Sequence, residues 1–200
     1  MIVACALVGS YLIGSLPTAY LLVWRLKRID VRTIGSGNVG ATNVSRVAGF
    51  KAGLVVFCID MAKGALAVWW LAPWFALTPA MRLSCGLAAI LGHNFPVWLG
   101  FCGGKGVATT IGVLMAAMPP VAAAVIGVWG LVFLMWRYVS LASLAAALAI
   151  PLAQALAGQG LAERLVGALL AGLIVVRHHA NIRRLVQGTE LRAGRRSKAP

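Results

Sequence analysis

Acidic side chains are nearly missing from this chain of 200 residues: Asp30, Asp60, Glu163 and Glu190 stand against eighteen Lys and Arg. Charge of either sign is also scarce, at 11% of residues, where a soluble domain carries about 25%. With 61% of the chain hydrophobic, this excludes an ordinary water-soluble globule and fits a bilayer. The net charge of +14 must then sit in loops and termini, where it favours anionic partners, either lipid headgroups or phosphorylated substrates. Nucleic acid is excluded as a partner, because binding it needs a water-soluble face that carries the cations. Cysteine is sparse as well. Cys5, Cys58, Cys85 and Cys102 stand singly in apolar stretches, with no CxxC pair and no His at ligand spacing. That excludes a disulfide framework and a metal site, and leaves buried packing as their expected role. The first apolar run, Ile2 to Trp24, has no Lys or Arg before it and no small-residue cleavage site leading into a soluble domain. It is expected to stay as a membrane helix and not to be a secretory signal.

What is present is a series of apolar runs. Taking about 20 residues per helical crossing, spans are expected near 2–24, 53–72, 82–101, 107–118, 121–136, 139–157 and 162–176. The fourth is short, and Pro119-Pro120 ends it where one very long helix would otherwise run on to Trp136. Charge decides in favour of two spans there. Seven crossings place Arg25, Lys27, Arg28, Arg32, Arg46, Lys51, Lys105, Arg137, Arg177, Arg183, Arg184, Arg192, Arg195, Arg196 and Lys198 on one side, with only Arg82 and Arg164 opposite. The expectation is one all-α bundle of seven membrane helices over residues 1–200, N-terminus outside and basic tail 177–200 in the cytoplasm. No internal repeat supports an inverted-repeat transporter.

Three polar clusters share the expected cytoplasmic face. In the first, Ser36 to Arg46, the glycines Gly35, Gly37 and Gly40 precede a helix expected to begin near Ala41, with Thr42 and Arg46 one turn apart. Its GxGxxG opening lacks the strand and later acid of a dinucleotide site. In the second, Gly103-Gly104-Lys105-Gly106 opens a helix after Gly92-His93-Asn94-Phe95-Pro96. It is a phosphate cradle in outline but lacks the full P-loop pattern. The third, Arg177 to Glu190, is expected as one helix aligning Arg177, His178, Asn181 and Arg184, with Gly188 as its stop. His93 and Asn94 read as packing groups, and Asp60 with Lys63, three residues apart inside a span, as an ion pair that braces the site.

These segments carry a resemblance. SGNxGATNxxR at Ser36 to Arg46, GHxFPxxxxFxGGKGVAT at Gly92 to Thr109 and RHxxNIxRLxxGTE at Arg177 to Glu190 are similar, in order and over nearly the whole chain, to the acyl-phosphate:glycerol-3-phosphate acyltransferases of the PlsY type. The chain departs from the family at Gly100 and Cys102, where members often carry basic residues, and at Trp98, where Phe is usual and a packing role is expected. The resemblance implies a bacterial inner-membrane enzyme with a cytoplasmic site, no cofactor and no obligate protein partner. Its substrates are acyl phosphate and glycerol 3-phosphate. By motif position it implies Ser36, Arg46, Lys105, His178 and Asn181 as the residues acting on glycerol 3-phosphate. Asn38, Gly103, Gly104, Lys105 and Thr109 fall to the acyl phosphate, and Thr42, Asn43 and Glu190 complete the phosphate-binding set. For the proton, His178 and Glu190 are the protein's candidate bases, and the acyl phosphate's own phosphate is the alternative. A transporter or channel for a phosphorylated solute is the competing function.

Overall fold

The structure, a computed structural model, describes residues 1–75 and 77–193. The tail cations Arg195, Arg196 and Lys198 therefore lie outside the described residues. Every regular element among those described is helical, and the chain falls into two compact units, Met1–Ala117 and the part from Met118 onward.

The first unit holds α1 (Ile2–Ser15), α2 (Thr18–Lys27), α3 (Ala41–Ala48), α4 (Phe50–Leu66), α5 (Pro79–Asn94) and α6 (Val107–Ala117). Pro17, which cannot donate a backbone bond, separates α1 from α2, yet Ile2–Lys27 remains one candidate span. Two helix pairs make the closest approaches, and each uses a glycine from both partners. A Cβ on Gly14 of α1 would overlap the Ala89 backbone of α5, and one on Gly92 of α5 would overlap the Tyr11 carbonyl. Gly64 of α4 meets the Thr109 backbone of α6, and Gly112 meets that of Met61. Small residues that admit a neighbouring backbone are the usual solution where lipid supplies no hydrophobic drive between helices. A separate apolar cluster, including Val23, Val31, Val44 and Val56, seats α3 and the short turn Val31–Thr33 against α2 and α4.

The second unit holds α7 (Pro119–Trp136), α8 (Val139–Leu156), α9 (Leu161–Arg177) and α10 (His179–Val186). Inside it Gln154 of α8, fully buried, donates to the Glu163 carbonyl of α9 at 3.0 Å. The outer surfaces of both units are apolar, with Leu54, Trp69, Trp74, Leu134, Leu148 and Leu169 all exposed. Such surfaces belong in hydrocarbon.

Among the described residues, four helical runs are long and apolar enough to cross a membrane: Ile2–Lys27, Phe50–Phe75, Pro119–Trp136 and Val139–Leu156. A fifth is reached if α9 and α10, bent by 59°, count as one. The expected span 82–101 stops at Asn94, because Phe95-Pro96 ends the helix and residues 95–102 leave it. At 1.5 Å per residue, α5 is about 24 Å long and α6 about 16 Å, against roughly 30 Å of hydrocarbon. Pro119-Pro120 does separate two helices as expected, sitting in the first turn of α7. Packing is the role of Cys85 alone, for Cys5, Cys58 and Cys102 are exposed. Trp98 is 64% exposed, so it does not occupy the packing site expected of it.

Candidate active site

The first cluster is a loop organised by Asn43. Its side chain is fully buried, donates to the Val31 and Ile34 carbonyls at 3.1 and 3.0 Å, and accepts from the Ser36 amide at 2.8 Å. Gly35, at φ +66°, lies so close that a Cβ would overlap Asn43 Oδ1. Asn43 therefore has no group left for a phosphate. It is corrected from ligand to brace, holding the Ser36 backbone while the Ser36 side chain stands exposed. Just upstream, Arg32 pairs with Asp30 at 2.7 Å and reaches the Leu99 carbonyl at 3.4 Å, which ties this loop to residues 95–102. The hydrogen bond from Arg32 holds the half-buried Asp30 carboxyl below the usual carboxylate range. The helix expected near Ala41 begins there, and it carries half-buried Thr42 and exposed Arg46 one turn apart.

In the second cluster the chain leaves α5, loops through 95–102, and returns antiparallel to where it left. Gly103 and Gly104 donate their amides to the Asn94 and His93 carbonyls at 3.1 and 3.0 Å. These glycines are thus not the anion donors expected of them. What they supply is thinness: a Cβ on Gly103 would overlap the His93 carbonyl, and one on Gly104 would overlap His93 Nε2 and lie 2.8 Å from the Val39 carbonyl. Gly104 is therefore where the first cluster, at Val39, meets the second. Half-buried Lys105 follows at once, and Gly106, at φ +79°, turns the chain into α6 and accepts its first helical bond from Thr110 at 2.8 Å. Thr109 is fully buried on α6, facing the α4 crossing with its backbone against Gly64. Its hydroxyl is buried without a hydrogen-bond partner.

The third cluster belongs to the second unit. It is not the single helix expected. The chain bends by 59° at His178, so α9 ends at Arg177 and α10 carries Asn181 and Arg184 in a new direction. Buried His178 places Nδ1 2.8 Å from the Ile174 carbonyl. A carbonyl only accepts, so Nδ1 carries a proton. Gly188, at φ +67°, turns the chain after α10, as its expected role as a stop requires. Beyond it Glu190 accepts from Ser140 Oγ at 2.8 Å, Asn181 Nδ2 at 2.6 Å and Arg184 Nε at 2.6 Å.

Burial alone would raise the Glu190 carboxyl, but these three hydrogen bonds outweigh it and hold the group below the ordinary glutamate value. An anion so committed neither binds another anion nor takes up a proton near neutral pH. Glu190 is thereby corrected from phosphate ligand to the anchor of Asn181 and Arg184. Ser140 was not indicated by sequence, since a lone serine 50 residues from its partner carries no spacing signal. Because the folded-state pKa is depressed, the stabilisation from Glu190 is complete above the ordinary glutamate value and is lost as pH falls through the lower, folded one. Glu190→Gln is expected to cost about 1–3 kcal/mol at neutral pH. In acid the gap in thermal midpoint to the parent protein should close. A gap that stays constant between pH 7 and pH 3 would contradict this.

The clusters coincide with a known family. The model for "Glycerol-3-phosphate acyltransferase" matches residues 4–188. A glycerol-3-phosphate acyltransferase of Gloeobacter violaceus is 48% identical over 195 residues, covering 93% of this chain and 92% of the relative. One of Paramagnetospirillum magneticum is 47% identical, with 96% and 94% covered. Among solved structures the chain is similar to PlsY (YgiH), an integral membrane glycerol 3-phosphate acyltransferase. To its glycerol 3-phosphate form the TM-score is 0.90 at 41% identity, with 96% of each chain covered. To its lysophosphatidic acid form the TM-score is 0.87 at 40% identity, with 96% and 95% covered.

Proposed function

The chain belongs to the glycerol-3-phosphate acyltransferase family, and we propose that it makes lysophosphatidic acid by taking its acyl group from an acyl phosphate. It is a membrane-embedded acyltransferase of phospholipid synthesis, acting on glycerol 3-phosphate. The observation that most supports the donor and mechanism is the backbone contact of Val39 with Gly104, which joins the loop bearing Ser36 to the segment bearing Lys105. Hydroxyl, amide and cationic groups of that kind position and screen phosphates, and they provide no covalent acyl carrier.

An acyl phosphate needs none. It is a mixed anhydride, and the sn-1 hydroxyl oxygen of glycerol 3-phosphate can attack its carbonyl carbon directly. The new ester C–O bond forms, the bond from carbonyl carbon to phosphate oxygen breaks, and inorganic phosphate departs with the hydroxyl proton. By motif position, Ser36, Arg46, Lys105, His178 and Asn181 act on glycerol 3-phosphate in this scheme, Asn38, Lys105 and Thr109 fall to the acyl phosphate, and Thr42 completes the phosphate-binding set. Gly103 and Gly104 shape the segment that leads into Lys105, and Asn43 holds the loop bearing Ser36. Proton transfer to the departing phosphate fits an engaged Glu190, so Glu190→Gln should keep the parent pH profile of turnover. The decisive experiment gives purified protein acyl phosphate, acyl-CoA or acyl carrier protein in parallel, each with glycerol 3-phosphate. Product from acyl phosphate alone is expected, and comparable turnover from either thioester would overturn the donor assignment.

The same proposal places the enzyme in the bacterial inner membrane with seven crossings, N-terminus outside and the site cytoplasmic. The fifteen-to-two division of cations supports it. A cysteine at Gln159 should be labelled from outside only, and one at Ser197, outside the described residues, from the cytoplasm only. Labelling of the tail from outside would refute the topology.

A further inference from the structure

Three ionisable side chains that acyl transfer does not itself employ are buried together in the first unit. Asp60 and Lys63 on α4 and His93 near the end of α5 are 2%, 4% and 9% exposed. Lys63 Nζ lies 2.7 Å from Asp60 Oδ1, donates to the Leu16 carbonyl at 2.9 Å and stands 3.4 Å from His93 Nδ1. The carboxylate oxygen is met off the hydrogen-bond axis, so charge and not a directed bond holds that pair. The Leu16 carbonyl is turned out of its helix by the break before Pro17. One ammonium group thus joins the kink between α1 and α2, the last turns of α4 and the end of α5.

The contact with His93 has a chemical consequence. An ammonium has only donors, so Nδ1 beside it is the acceptor and the ring proton resides on Nε2. At 3.7 Å the Asp60 carboxylate is too far from Nδ1 to draw the proton back. The Nε2 edge of the ring is the wall against which Gly104 lies, and the Gly104 amide is fastened to the carbonyl of the same histidine. One residue further stands Lys105. If helix packing were the only need, an apolar pair in place of Asp60 and Lys63 would serve at least as well, because burying an ion pair costs about as much as it returns.

We propose that the Asp60–Lys63 pair is a positioning device for the reaction: it holds His93 as the Nε2–H tautomer, and the ring so fixed sets the extended segment that aims Lys105 at phosphate. The arrangement follows the logic by which an outer partner fixes the tautomer and orientation of a working histidine. Its relevance to catalysis rests on the acyl-transfer proposal; the tautomer itself does not, and the two are tested separately.

The tautomer is read by nitrogen NMR of protein labelled at histidine, with His93 assigned by its disappearance in His93→Gln. A non-protonated Nδ1 and a protonated Nε2 are expected. In the doubly neutral variant Asp60→Asn/Lys63→Met, which strands no buried charge, the two tautomers should mix. A protonated Nδ1 in the parent protein, or an unchanged spectrum in the double variant, overturns the proposal whether or not the protein transfers acyl groups. The catalytic arm compares His93→Gln, whose amide N–H falls near Nε2, with His93→Asn, whose amide falls near Nδ1. His93→Asn should lose at least tenfold in kcat, and His93→Gln should recover most of that loss, with both retaining the parent thermal midpoint. Equal losses, or losses that only track the midpoint, show mere packing and overturn the positioning role.

Discussion

Lys105→Ala and Arg46→Ala are each expected to lower kcat/KM by about one to two decades, corresponding to roughly 1.5–3 kcal/mol for a lost charge-assisted hydrogen bond. The larger loss should fall on Lys105. Its backbone is confined between Gly104, fastened to the His93 carbonyl, and Gly106, whose positive φ starts α6. Its half-buried side chain then delivers positive charge from a fixed origin. A phosphate left there without its counter-charge is partly dehydrated and has no water shell to fall back on. Arg46 stands on the exposed side of α3, where water replaces more of what is lost, so its effect should lie near the lower end. Lys105→Arg separates a fitted cradle from a diffuse basic surface. A guanidinium keeps the charge but not the compact shape of an ammonium, so a loss approaching that of Lys105→Ala is expected. If both alanine variants keep more than a third of the parent kcat/KM, neither cation holds a reacting phosphate.

Where the sequence was legible, a single local cause governed the outcome. Gly40 at the N-cap precedes α3 at Ala41, and Pro119-Pro120 separates α6 from α7, because both effects act within a few residues. The overrun of the third span has an equally local origin read wrongly. Val97 to Phe101 is as apolar as the helix before it, and hydropathy alone carries the run past Phe95-Pro96, where the backbone in fact turns away.

Burial separates motif position from side-chain direction at the site. Asn43, Thr109 and Glu190 have the chemistry of phosphate or hydroxyl ligands and lie in motifs that carry such ligands, but motif position does not say which way a side chain points. Asn43 and Thr109 point inward, and Glu190 is saturated by donors from Ser140, Asn181 and Arg184. Asp60 and Lys63 were legible as a pair because three residues on a helix make neighbours. Their link to His93, thirty residues away in sequence, needed the packing of α4 against α5. The glycines were recognised as functional for the wrong reason: their amides serve the protein, and it is their missing side chains that the site uses.

That reversal sets the second large effect, expected for Gly104→Ala. If Gly104 were an anion donor, alanine would be nearly harmless, since it keeps the amide. The observed geometry predicts the opposite. The added methyl would overlap the His93 ring at Nε2 and press within 2.8 Å of the Val39 carbonyl, and neither neighbour has room to yield. His93 is wedged against Lys63, and Val39 is buried in the cluster beneath the first loop. Relief must come from displacing the Gly103–Gly104 segment, which carries Lys105 with it and parts the two loops at their point of contact. Overpacking of this sort costs about 1–3 kcal/mol in stability. A displaced catalytic group costs more in rate, on the order of a hundredfold for a shift near 1 Å. Gly104→Ala should therefore lose about two decades in kcat/KM while protein is still recovered from the membrane. Gly100→Ala is the matched control. Gly100 also lies in the second motif and at φ +60°, but a Cβ there meets nothing within 4 Å. Only the left-handed backbone is penalised, by about 1–2 kcal/mol, which is borne by the local turn and not by the segment bearing Lys105. Gly104→Ala retaining activity equal to Gly100→Ala would return that segment to its first interpretation, a cradle of backbone amides.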